Sequence, residues 1–153
     1  MRGFNKFILI SFFLLLSGEA YAACTVATTG VNFGNYDVFV LTPLNSTGSI
    51  TVTCDVNPPT DVTISIGPSQ NSGVMNPRQM KRTTGPDLLN YNFFTDAGRT
   101  SVWGDGSGGT TTVFLKNVPR NRPRSATVYG SIPPNQNVFA GSYSDLLTVT
   151  ITP

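Results

Sequence analysis

The sequence predicts an all-β fold, a sandwich of immunoglobulin-like type closed by one disulfide. Three observations predict it. Apolar and polar residues alternate in many short runs, clusters of Pro, Gly and Asn separate those runs, and no segment past the leader holds a helical period. Thr, Val, Gly, Asn, Ser and Pro dominate there, which is the chemistry of pleated strands and tight turns.

The leader comes first. Of the 153 residues, 1–22 read as a cleaved secretory signal peptide: Arg2 and Lys6 precede the apolar run Phe7–Leu16, and in "AYA" Ala20 and Ala22 put small residues at the cleavage site. That run is about half the roughly 20 residues a spanning helix needs, so no membrane span is expected. The domain then runs over 23–153.

Its strands follow in order. Val31 and Phe33 form a short pair before Gly34. The apolar run Val38, Phe39, Val40 and Leu41 is expected to continue as strand into the core, with an exposed contact patch as its alternative. Ile50, Val52 and Cys54 share one face of "GSITVTC", and Val62, Ile64 and Ile66 share one face of "DVTISIG". Leu89, Tyr91 and Phe93 repeat the pattern, as do Val113 with Leu115 and Val128 with Ile132. A final run from Ser144 to Thr152 sets Leu147, Val149 and Ile151 against Thr148, Thr150 and Thr152, for about seven strands in all. Between them lie "NPPTD", "GPSQNSG", "TTGPD", "GDGSGG", "PRNRPRS" and "IPPNQN", which supply fixed φ, positive φ or side-chain caps.

Two cysteines in an exported chain most simply pair, Cys24 with Cys54. The net charge of +2 drops by one without Arg2, Lys6 and Glu19, which gives no reason to expect nucleic acid as a partner. The inventory also argues against an enzyme. There is no histidine and, past the leader, no Glu, so Ser-His and Cys-His nucleophiles are excluded and paired carboxylates would need two of seven scattered Asp residues. "WGDGSGG" carries one carboxylate in a glycine-rich turn and lacks the ligand spacing of a calcium loop, so no metal or cofactor is expected. Arg120, Arg122 and Arg124 read as a solvated loop, with an acidic surface polymer as the lesser alternative.

Longer segments carry a resemblance. Cys24 with "VNFGNYD", then "TGSITVTC", "LNYNFFTDAGRTSVWGDGSGGT" and "TVYGSIPPNQNVFAGSYSDLLTVTI" stand in family order over nearly the whole of 23–153. In these segments the chain resembles the spore coat protein U domain family, which includes subunits of archaic, Csu-type chaperone–usher pili. The resemblance implies an immunoglobulin-like sandwich that lacks its last strand. Leu147, Val149 and Ile151 would line one wall of the resulting groove, and Val31 and Phe33 the other. It further implies export through the periplasm to the cell surface or a fimbrium. The partners would be a periplasmic chaperone, an outer-membrane usher and neighbouring subunits that lend a strand by β-augmentation.

Polymerising subunits also donate a strand from a segment ahead of the first cysteine. After cleavage only Ala23 would precede Cys24, so the chain is expected to accept a strand without donating one, as a tip or minor subunit. A self-contained coat protein and a carbohydrate- or surface-binding adhesive module are the alternatives. The last would use Val38–Leu41, or Trp103 with nearby Tyr and Asn residues.

Overall fold

The computed structural model describes residues 23–153, so the expected signal peptide lies outside the described residues. The described residues form nine strands and no helix: β1 (Cys24–Thr29), β2 (Leu44–Cys54), β3 (Thr60–Ile66), β4 (Arg78–Arg82), β5 (Leu88–Phe94), β6 (Val113–Val118), β7 (Arg124–Ile132), β8 (Tyr143–Ser144) and β9 (Val149–Thr152). Six of them make one sheet in the order β1-β2-β7-β5-β4-β8, and the other three make a second sheet in the order β6-β3-β9. The all-β sandwich expected from the alternation is therefore present.

One face of each strand builds the core. Ile50, Val52, Cys54 and Val128 of the large sheet cluster with Val62, Ile64, Ile66 and Val118 of the small one. Trp103 stands among them, fully buried, and its indole N–H donates to Ile64 O at 3.0 Å. Trp103 N donates to Phe93 O in one sheet, and Ile66 N of the other donates to Gly104 O, so this segment links the two layers. Cys24 and Cys54 form the expected disulfide, directly opposite each other in the β1–β2 register.

The strand expectations need four corrections. The first strand is Cys24–Thr29; Val31 and Phe33 follow it in extended chain that belongs to no strand. β4 was not legible, because its sequence RQMKR shows no apolar alternation. Its inward residue is Arg78, fully buried and satisfied by four acceptors: the carbonyls of Ile66, Gly67 and Trp103, and Asn92 Oδ1 at 2.7 Å. The final run is split: Tyr143–Ser144 pairs with β4, and Val149–Thr152 crosses to pair with β3. Lastly, Val38–Leu41 does not enter the core. It is a turn held by Val40 N to Asp37 O and Phe39 N to Asp37 Oδ1, with Phe39 87% and Leu41 74% exposed.

Candidate functional site

The site is built from an edge and two walls. β9 pairs with β3 on one side and with no strand on the other. The register fixes which of its backbone groups are free. Gly67 N donates to Thr148 O at 2.8 Å, so Thr148 sits in a hydrogen-bonded pair with Gly67. Antiparallel ladders alternate between bonded and non-bonded pairs, so Thr150 opposite Ser65 and Thr152 opposite Thr63 also turn their N–H and C=O toward β3. Val149 and Ile151 then turn theirs toward the open edge. Their side chains point inward with that of Leu147, and all three pack on the Ile50–Trp103 cluster.

None of the three is fully covered. Leu147, Val149 and Ile151 are half-buried, whereas Ile64 and Ile66 on the adjoining strand are 0% and 2% exposed. β9 thus offers unpaired backbone and partly wet apolar side chains at the same residues.

The other wall is the segment that follows β1. From Gly30 to Tyr36 no backbone group bonds to another backbone group among the described residues. Instead Ser46 Oγ donates to Asn32 O, and Gly34 N donates to Asn32 Oδ1. Val31 packs on the same cluster as β9, and Phe33 on a second cluster around Leu89, Tyr91 and Ile132. A cavity of about 910 Å³ opens beside this segment. Val31, Phe33 and Tyr36 line one side, Val138, Phe139 and Tyr143 the other, and Met80, Leu89 and Ile132 the floor. Leu147, Val149 and Ile151 do not line that cavity. The structure therefore places Val31 with the β9 residues in one cluster and Phe33 with residues 138–143, which carried no signal as a wall in the sequence.

A polar tie crosses beneath the groove. The Phe33 ring meets Tyr91 edge-on at 6.1 Å, and Tyr91 OH donates to Asp145 Oδ2 at 2.8 Å. Asn71 Nδ2 and Leu146 N both donate to Asp145 Oδ1. Burial, and then the hydrogen bond to and charge of Asp145, push the Tyr91 phenol far above its ordinary range. Asp145 lies where the chain leaves β8 for the other sheet, so its carboxylate anchors that crossing. On the 139–142 side, Arg82 Nη1 donates to Ala140 O, its guanidinium lies 5.3 Å from the Phe139 ring centre, and Thr83 N donates to Ser142 O.

Among the described residues no three His, Cys, Asp or Glu side chains gather as metal ligands. Trp103 is buried and so cannot stack on a sugar. Arg120 pairs with Asp55 at 2.6 Å on the surface, and Arg122 and Arg124 are exposed beside it.

The site is therefore an unpaired strand edge with half-buried apolar side chains, and comparison with known proteins gives it a family. The family model for the spore coat protein U domain matches residues 11–150. The chain belongs to the spore coat protein U domain family. Protein U of Myxococcus xanthus is 33% identical to it over 142 residues, covering 85% of this chain and 77% of the relative. Among solved structures, the CsuC–CsuE chaperone–tip adhesion subunit pre-assembly complex from the archaic chaperone–usher Csu pili of Acinetobacter baumannii aligns with a TM-score of 0.56 and 26% identity. That alignment covers 85% of this spore coat U chain and 39% of the matched one, so the present chain spans well under half of its solved relative. This spore coat U chain is homologous to chaperone–usher pilus subunits.

Proposed function

We propose that this spore coat U chain is an exported subunit of a chaperone–usher fibre that accepts a β-strand between β9 and the segment Val31–Phe33. The observation that carries the reading is the β9 edge, where Val149 and Ile151 combine free backbone groups with half-buried inward side chains. An incoming extended segment would bond to that edge while its alternate side chains complete the core beside Leu147, Val149 and Ile151. The cavity beside Val31 and Phe33 is, on this reading, one end of the same groove. Finishing the burial of an aliphatic side chain is worth up to about 1.5–3 kcal/mol, so a few such side chains weigh heavily against a typical stability of about 5–15 kcal/mol.

The strand would come first from a periplasmic chaperone and then, at an outer-membrane usher, from a neighbouring subunit. A place at the fibre tip or as a minor subunit is the finer part of the proposal. Support comes from the turn at Val38–Leu41, whose exposed Phe39, Val40 and Leu41 could serve as a contact surface at a free end.

A second reading is favoured by the 33% identity to Protein U: a coat protein that is complete without a borrowed strand. One titration separates the two. A 13-residue peptide alternating Val and Thr is added to chain 23–153, and its thermal unfolding is followed. The acceptor reading expects the midpoint to rise with peptide concentration, by the equivalent of about 2.7 kcal/mol at a hundredfold excess over Kd. A soluble monomer that unfolds cooperatively at the same temperature with and without peptide would sink it in favour of the coat protein.

A further inference from the structure

We infer that Gly130 positions the first wall of the groove: by carrying no side chain it lets Phe33 and Val31 lie flat on β7, and so keeps the groove wide enough for a strand. The inference rests on the acceptor reading above. Gly130 is buried in the middle of β7, opposite Ser46 on one side and Phe93 on the other. Its φ lies outside the left-handed region, so backbone conformation does not demand glycine there. Space does.

A Cβ at Gly130 would stand 2.7 Å from Phe33 Cζ, 2.9 Å from Phe33 Cε1 and 2.8 Å from Val31 Cγ1. Carbon atoms settle at about 3.5–4.0 Å, so something would have to move. All three atoms are side-chain atoms of the same wall segment. β7 cannot yield easily, since it is paired on both sides and Arg99 Nε donates to Gly130 O at 3.1 Å. The wall segment, with no backbone pairing of its own, can. Lifted off β7, Phe33 and Val31 would move into the cavity they line. A glycine inside a strand otherwise weakens it and often marks such a close approach. Gly48 on β2 makes a similar seat for Val31, but a Cβ there would also meet Thr29 O, so the pairing with β1 already dictates it. Gly130 alone answers only to the wall.

The test is a cycle of variants of chain 23–153, read by fluorescence anisotropy of the labelled Val/Thr peptide. Near-ultraviolet circular dichroism of buried Trp103 checks the fold. Gly130→Ala should weaken binding at least tenfold. In a Val31→Ala/Phe33→Ala background, where the space is already cleared, adding Gly130→Ala should change affinity less than twofold. Equal losses in both backgrounds, or wild-type affinity for Gly130→Ala, overturn the inference. Should Gly130→Ala not fold, Phe33→Trp crowds the same seat from the opposite side; it should weaken binding comparably, and unchanged affinity would overturn the inference. A wild-type chain that binds no peptide removes the acceptor reading itself, and this inference with it.

Discussion

Arg78 carries more of the fold than any charged residue the alternation could have singled out. In RQMKR it reads as a surface cation, yet it is fully buried and ties Ile66 and Gly67 of the small sheet to Asn92 of the large one. Burial lowers its pKa, opposed by the Tyr91 and Asp145 charges. Replacing it with Met would strand several buried carbonyls at about 1–3 kcal/mol each, so Arg78→Met should lose at least about 3 kcal/mol in urea unfolding. A loss below about 1 kcal/mol would mean that water replaces the guanidinium. Tyr91 makes a pH prediction. Its phenol is raised in the folded chain, so the folded state holds that proton more tightly than the unfolded state, whose tyrosines titrate near about 10. The stability this represents is complete below that pH and declines as pH climbs above it. Tyr91→Phe should flatten the alkaline decline while leaving the neutral region less affected; parallel curves for both proteins would contradict the assignment.

At the scale of elements, what was legible follows from what the alternation measures. β2, β3, β5, β6 and β7 were readable because Ile50, Val52, Val62, Ile64, Ile66, Leu89, Tyr91 and Val128 do face the core, and Val113 and Leu115 of β6 pack against it. β1 was not, because it is an edge strand exposed along almost its whole length and therefore carries no alternation. Its place comes from pairing with β2 and from the disulfide, which spans a separation of 30 residues. In the chain-entropy account, Cys24→Ser/Cys54→Ser should cost about 3.5 kcal/mol, with β1 amides losing exchange protection before those of β7. Protection lost together across both strands would show that β1 holds without its staple. The final run looked like one strand because period two cannot reveal a change of sheet. That change is set by Asp145, whose partners Tyr91 and Asn71 come from elsewhere in the chain. The same limit hid the wall at 138–142, which depends on Arg82 and Thr83.

For the molecule as a whole, the sandwich is linked through Trp103 and open along β9, and its most exposed large apolar side chain is Phe39. Phe39 and Leu41 project from a turn that supports neither core cluster. Phe39→Ser/Leu41→Ser should therefore change stability by no more than about 0.5 kcal/mol. If the turn is a contact surface, the same variant should lose adsorption to a hydrophobic surface; retained adsorption would place the contact elsewhere. The open β9 edge is the central claim, and amide hydrogen exchange tests it most directly. In the chain alone, the amides of Val149 and Ile151 should exchange fast while that of Thr150, turned toward β3, is protected; the Val/Thr peptide should then slow Val149 and Ile151 selectively. Protection of Val149 and Ile151 already present in the chain alone, or rates unmoved by peptide, would show that the edge is not open to a strand.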